Sequence, residues 1–321
     1  DTHTVAVGEE TFTAENIIIA TGSTAATLPI PGNDLPGVIT SRELLNIDHV
    51  PPRLCIIGAG VIGLEFASIF TSFGSELTVV EYANEILPRF DSDMAKRLRQ
   101  SLGKRGITIT TQAAVSAIAQ NGDELTVTYT RKGKEETVVA DKVLMAVGRR
   151  PNLASLNLEE VGIEATPRGV VVNENMQTNV PHIYAIGDII GGYMLAHAAT
   201  FQGIRALNHI MGTPDKLNLN VMPAAVFTMP EAATVGLTED ECKEKGIACT
   251  CKKSFFRANG KAVCLDETDG FCKLVVGDDG KLLGCHLFGP HAADLVQEVC
   301  ALISVGATLD DLQNIIHTHP T

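Results

Sequence analysis

The run Gly58-Ala59-Gly60-Val61-Ile62-Gly63 follows a fully apolar segment, Leu54-Cys-Ile-Ile57, and opens an apolar stretch from Val61 to Phe73 that stops at Gly74. An apolar run of this kind reads as a buried parallel strand, and the stretch after it as a helix ended by glycine. Each glycine then has a mechanical task. Gly58 permits the tight turn, Gly60 lets a pyrophosphate approach the backbone, and Gly63 lets the helix pack closely on the strand. The phosphates would meet unpaired N–H groups at the positive end of the helix dipole. Leu77-Thr-Val-Val80 reads as the next strand and ends on Glu81. A carboxylate there accepts hydrogen bonds from ribose hydroxyls and repels a 2′-phosphate, so NAD is expected over NADP.

This unit sits within a chain of α/β pattern. A helix is expected from Asp93 to Arg105, then strands near Ile107–Thr111, Ala114–Ala119, Glu124–Thr130 and Glu135–Val139. Asn121-Gly122 and Lys132-Gly133 read as hairpin turns between the last three. Lys142–Val147 returns as a buried strand, giving a doubly wound Rossmann-like unit with a small antiparallel insertion. The Pro- and Gly-rich segment Leu28–Gly37 excludes helix and central strand, and a short helix is expected from Ser41 to Leu45. Ile183–Ile186 reads as a strand leading into Gly187-Asp188, followed by a helix from about Ala196 to Met211. From about Val221 the texture becomes α+β: Thr238-Glu-Asp-Glu241 is a capping box, and Gly277-Asp-Asp-Gly280 joins strands at Phe271–Val276 and Lys281–Phe288. Helices are expected at 291–305 and 309–316. The expected divisions are residues 1–50, 51–150, 151–220 and 221–321.

Composition narrows the function classes. A net charge of −13 argues against nucleic acid, whose phosphates need clustered Lys and Arg. No run of apolar residues is long enough to cross a membrane and no secretory leader pattern is visible at the start; the even count of free-looking cysteines fits a reducing compartment, and a cytoplasmic location is expected. Cys55, Cys272, Cys285 and Cys300 lie in apolar runs and read as small core hydrophobes. Cys249 and Cys251 face the same side of a strand and could join Cys242 on a metal. No suitably spaced Cys or His supports that, and no metal site is expected.

Smaller signals complete the reading. Gly148-Arg149-Arg150-Pro151 follows a buried strand, where the arginines touch phosphate or cap the sheet. Asp188, at a strand end, is a turn residue or a ligand for sugar hydroxyls; its combination with Ala20-Thr21-Gly22-Ser23 favours the second. His319, next to Pro320, is a solvated side chain or a functional base.

Together, Ile18–Ser23, Gly58–Glu65, Val147–Asn152, Thr178–Asp188, Met194–His197 and His317–Thr321 resemble the dihydrolipoamide dehydrogenase family, within the FAD- and NAD-dependent disulfide reductases. The resemblance runs in order over essentially the whole chain. It is highly specific for that superfamily and less so for the dithiol, since mercuric reductase and other relatives share most of the segments. It implies that Gly58, Ala59, Gly60, Val61, Ile62, Gly63, Leu64 and Glu65, with Glu81, bind NAD, and that Val115 and Gly148 line its adenine side. It implies that Thr21, Gly22 and Ser23 touch FAD, that Asp188 binds its ribitol, and that Met194, Leu195, Ala196 and His197 lie along the flavin. His319 would be the general base for a substrate thiol, within a homodimer formed by the C-terminal α+β region. Residues 1–50 and 151–220 would then be parts of an FAD domain. A 2-oxo acid dehydrogenase or glycine cleavage complex would be the host.

Three departures limit what the resemblance implies for these residues. The N-terminal FAD glycine fingerprint is absent. No two cysteines are separated by four residues, as the family's redox pair is. The glutamate that orients the catalytic histidine would stand five positions beyond His319. Residues 1–23 therefore read as the closing part of a domain that starts earlier, and His317–Thr321 as the opening of a catalytic segment. The expectation is a trimmed flavoprotein that binds NAD and dimerises but cannot turn over alone. The competing reading is a free-standing NAD-binding or assembly module without redox chemistry.

Overall fold

The computed structural model describes residues 3–154 and 156–321. They form two compact units: residues up to Ala25 with Arg149–Met222, and Ala26–Gly148 with Pro223–Thr321.

The second unit is built on a five-stranded parallel sheet. Its order is Val38–Ile39, Lys142–Met145, Arg53–Ile57, Glu76–Val80, Thr108–Thr110. Strand side chains alternate between faces, and Arg53–Ile57 uses both. Leu54 and Ile56 pack with Leu64, Ala67 and Phe70 of the helix Val61–Ser72 and with Leu98 and Leu102 of the helix Ser92–Lys104. Cys55 and Ile57 pack with Ile118, Leu125, Val127 and Tyr129. These come from an antiparallel meander, Ala113–Asn121, Glu124–Arg131 and Lys134–Ala140. The expected insertion thus covers the sheet face opposite these two helices.

The same unit holds a five-stranded antiparallel sheet in the order Ala224–Val226, Ala232–Gly236, Leu282–Phe288, Phe271–Gly277, Cys249–Phe255. The helix Ala292–Ser304 packs on it. The first two strands carry little sequence signal, because alanine is a poor strand former. Pairing with Leu282–Phe288 imposes the conformation of Ala232–Gly236, and Ala224–Val226 pairs in turn with that strand. The last expected helix is shorter than its pattern, Leu309–Gln313.

One ionic cluster joins the two sheets' layers. The Lys273 ammonium, 1% exposed, lies 2.8 Å from Asp91 Oδ2, 2.8 Å from Asp93 Oδ2 and 2.9 Å from Glu239 Oε2. Asp91, fully buried, also caps the helix Ser92–Lys104 by accepting from the N–H groups of Asp93 and Met94. Burial opposes the Lys273 charge, but the carboxylates outweigh it and raise its pKa. Lys253 and Lys273 hold Asp93 down to about 2, and Lys243 and Lys273 do the same for Glu239.

In the first unit, Ile17–Ile19 pairs in parallel with Ile183–Ala185, and Ser23–Ala25 pairs antiparallel with Arg149–Pro151. Ile183, Ala185 and Ile189 form one core cluster with Val170 and Leu158, while Tyr184 faces Met176 and Ala206 on the other side. The helix Ala196–Ile210 carries Ala206.

Candidate functional site

The three glycines of the loop after Arg53–Ile57 have two different kinds of surroundings. Gly58 has φ +106°, and a Cβ there would lie 2.4 Å from the Ala146 carbonyl oxygen. A Cβ on Gly63 would lie 2.1 Å from the Gly58 carbonyl oxygen. Both are therefore dictated by the packing of helix, loop and neighbouring strand. A Cβ on Gly60 would meet nothing within 4 Å. Gly60 is also the N-cap of the helix Val61–Ser72, and no side chain caps that end. Its first N–H groups are thus open to an anionic ligand.

Glu81 is carried to this loop by the end of the strand Glu76–Val80. Its Oε2 accepts from the Ala59 N–H at 2.6 Å and its Oε1 from the Ala83 N–H at 2.7 Å. Beside it lies an open hollow lined by Tyr82, Ala83, Asn84, Gln112 and Ala114. Gln112, with φ +57°, donates to Asn84 Oδ1 at 3.2 Å. These lining residues went unseen in the sequence reading. Their signal is positional, since they follow the C-terminal ends of parallel strands, where the ligand crevice of such sheets opens. Val115 is half-buried against the meander's core, and Gly148 has φ +118°. Leu64 is fully buried. Glu65 turns to the antiparallel sheet, accepting from the Phe227 N–H at 2.9 Å, and burial raises its pKa.

The first unit brings Ser23 and Asp188 together. Ser23 Oγ donates to Asp188 Oδ2 at 2.5 Å and accepts from Arg149 Nε at 2.6 Å, while Arg149 Nη2 donates to the Ser23 carbonyl at 2.7 Å. Arg149 Nε is 3.6 Å from the same Asp188 oxygen. Arg149 thus belongs to this polar group, which its neighbours in sequence did not reveal. Thr21 and Gly22 are clasped by Asn152: its Nδ2 donates to the Thr21 carbonyl at 2.9 Å and its N–H to the Gly22 carbonyl at 3.0 Å. Gly187, before Asp188, donates its N–H to buried Gln202 Oε1 at 2.7 Å. Met194 and Leu195 are half-buried and Ala196 and His197 exposed at the start of the helix Ala196–Ile210.

His319 is exposed and lies between two anchors. His317 Nε2 and Glu298 Oε1 are 2.6 Å apart, and Asn259 Nδ2 donates to the Thr321 carbonyl at 2.9 Å. Glu298 raises the His317 pKa. Among the described residues, no group of three or more His, Cys, Asp or Glu side chains is arranged to hold a metal ion.

Residues 1–203 match the family model described as pyridine nucleotide-disulphide oxidoreductase, and residues 222–321 match the dimerisation domain of the same family. The chain is 41% identical over 314 residues to the dihydrolipoyl dehydrogenase of Geobacillus stearothermophilus, covering 97% of this chain and 67% of that protein. It is 42% identical over 328 residues to the dihydrolipoyl dehydrogenase of Bacillus subtilis, covering 100% of this chain and 70% of the relative. Among solved structures, LpdA of Mycobacterium tuberculosis is similar with a TM-score of 0.90 at 28% identity, over 99% of this chain and 70% of that one. The HOCl-induced flavoprotein disulfide reductase RclA of Escherichia coli is similar with a TM-score of 0.89 at 30% identity, over 99% and 74%. With the glycine loop, its acidic partner and the antiparallel C-terminal sheet in one unit, these likenesses agree: the chain belongs to the pyridine nucleotide-disulphide oxidoreductases, enzymes that use FAD and NAD, as a homologue of dihydrolipoyl dehydrogenase.

Proposed function

We propose that this chain supplies the NAD-binding and dimer-forming parts of a flavoprotein that oxidises dihydrolipoamide with NAD. The observation that carries the reading is the Glu81 carboxylate, fixed 2.6 Å from the Ala59 N–H beside a Gly60 that has open space in front of it. Residues 51–150 hold NAD in this reading. Gly58 through Glu65 form the loop and helix under its pyrophosphate, and Glu81 receives the adenine ribose. Val115 and Gly148, with the hollow at Tyr82 and Gln112, take the adenine side.

Residues 1–50 and 151–220 contribute to FAD binding. Thr21, Gly22 and Ser23 approach the cofactor with backbone and hydroxyl, Asp188 accepts from ribitol hydroxyls, and Met194 to His197 flank the ring. The fit rests on the Ser23–Asp188–Arg149 group, an ordered set of polar atoms suited to hydroxyl partners. FAD, when bound, supplies the two-electron acceptor between dithiol and NAD. His319 accepts the proton of a substrate thiol, whose ordinary pKa of about 8.5 leaves little thiolate at neutral pH. Residues 221–321 form the homodimer contact. Exposed Leu295, Val305 and Ile316 on that part support this, Val305 being 80% and Ile316 98% exposed. Dithiol–disulfide exchange is not assigned to any cysteine of these 321 residues, because none has the redox-pair spacing. The host complex of 2-oxo acid dehydrogenase or glycine cleavage type, and a cytoplasmic location, belong to the same proposal.

Calorimetric titration of the chain with NAD and NADP, beside dihydrolipoamide oxidation followed by NADH absorbance, tests it. NAD is expected to bind at least about tenfold more tightly than NADP, with that preference lost in Glu81→Ala, and no NADH is expected from the chain alone. Equal affinity for the two cofactors, or normal turnover, refutes the assignment.

A further inference from the structure

Two thiols outside the cofactor regions lie in van der Waals contact. Cys272 and Cys285 lie on adjacent antiparallel strands, opposite Leu287 and Leu274 respectively, so they are diagonal neighbours on one face. Their Sγ atoms are 3.9 Å apart. Lys273 and His286, one position along on each strand, belong to the opposite face. Cys285 is buried, whereas Cys272 is half-buried. We propose that Cys272 and Cys285 form a peroxide-reactive dithiol, with Cys272 the attacking thiol and Cys285 the one that resolves it.

Cys272 is the more accessible of the two, and the sulfur–sulfur contact, in which either atom can donate, lowers its pKa when Cys285 is the donor and raises that of Cys285. This is the asymmetry that an attacking and a resolving thiol need. Competing thiols are held back: burial pushes Cys242 and Cys251 up to about 11 and Cys55 up to about 12. Burial, and after it Glu298 on the helix Ala292–Ser304, opposes ionisation of both members of the pair, so the sulfur–sulfur contact has to outweigh them. Closing to a bonded separation of about 2.05 Å requires the sulfurs to move together by about 2 Å.

The chemistry balances with hydrogen peroxide as the oxidant. The Cys272 thiolate attacks one peroxide oxygen; the S–O bond forms, the O–O bond breaks, and hydroxide leaves, taking up a proton as water. Cys285 sulfur then attacks the sulfenic sulfur. The S–S bond forms, the S–O bond breaks, and the departing hydroxide leaves as water with the Cys285 proton. Two thiols and one peroxide give one disulfide and two waters.

The test treats the chain with about one equivalent of peroxide, alkylates the remaining thiols and digests with trypsin plus a glutamate-specific protease. The second protease is needed because Glu267 separates Cys264 from Cys272 and Glu298 separates Cys285 from Cys300. A cross-link between fragments 268–273 and 282–298 is expected. Cys285→Ser is expected to leave Cys272 as a sulfenic acid trapped by dimedone, and Cys272→Ser to leave Cys285 unmodified. The proposal is overturned if exposed Cys264 is oxidised while the pair stays reduced, if the cross-link forms only after unfolding, or if the two single variants react equally.

Discussion

Replacing Lys273 by methionine isolates the energetics of the joint between the parallel and antiparallel sheets. Methionine keeps most of the side-chain volume, so the cavity contribution is small. The carboxylates fare differently. Asp93 keeps Lys253 at 2.7 Å and Glu239 keeps Lys243 at 2.8 Å. Among the described residues, Asp91, at 0% exposure, keeps hydrogen bonds from the two backbone N–H groups on Oδ1, and its Oδ2 loses the ammonium. One buried, uncompensated carboxylate costs about 3–5 kcal/mol, a large part of the stability of an ordinary domain. Lys273→Met/Asp91→Asn removes the stranded charge while Asn retains a capping oxygen, and is expected to recover about 2 kcal/mol or more. Urea unfolding followed by far-UV circular dichroism measures both variants; the chain has no tryptophan to report instead. A single variant within about 1 kcal/mol of the parent, or a double variant no better than the single, refutes the reasoning. Acid supplies an independent check. Asp93 and Glu239 titrate at about 2 in the folded chain, below the roughly 4 of unfolded carboxylates. Their contribution is complete above pH ~4 and lost as pH falls towards ~2. Part of that depression comes from Lys273, so the gap between parent and variant narrows on acidification.

Further outcomes follow from the same geometry. Gly63→Ala, whose Cβ would press on the Gly58 carbonyl oxygen at 2.1 Å, is expected to lower stability by about 1–3 kcal/mol in thermal unfolding. Gly60→Ala meets no atom within 4 Å and stays within about 0.5 kcal/mol, yet weakens NAD binding in calorimetry. Arg149→Met frees Ser23 and Asp188; under the FAD role proposed for them, flavin-loaded protein should lose FAD about tenfold more readily, read from flavin absorbance after gel filtration, and an unchanged flavin content counts against the role. Glu298→Gln should lower the His317 pKa seen by NMR titration. The raised His317 pKa stabilises the C-terminal segment below pH ~6.5 and ceases to do so as pH rises through the folded value, so the variant's segment should show less pH-dependent protection from hydrogen exchange.

Legibility in the sequence tracked how local the cause of each feature is. The fingerprint strand and helix, the capping box at Thr238 and the hairpin around Gly277–Gly280 have local causes, and the structure has them within a few residues of the expected bounds. The strands Ala224–Val226 and Ala232–Gly236 do not: Ala232–Gly236 takes its conformation from pairing with a segment some fifty residues away, and Ala224–Val226 is an edge strand added onto it. Lys273 had a signal that the strand reading passed over. It shares the inward face with Phe271 and Val275, and a lysine on that face needs carboxylate partners. Those carboxylates sit on other elements, at Asp91, Asp93 and Glu239, and no spacing rule names them.

The glycine loop shows how far such a motif speaks for function. Gly58 and Gly63 are demanded by their own neighbours, the Ala146 and Gly58 carbonyls, whether or not a dinucleotide ever binds. A chain could keep both for packing alone. Gly60 has no such neighbour, and the helix end behind it has no side-chain cap. Glu81 likewise stands where the crevice opens, with both carboxylate oxygens turned to backbone N–H groups of that rim. Two of the three glycines are therefore evidence about the fold. The case for NAD rests on the third glycine and on one carboxylate; substituting Gly60 separates binding from folding, whereas Glu81 also holds the Ala59 and Ala83 N–H groups.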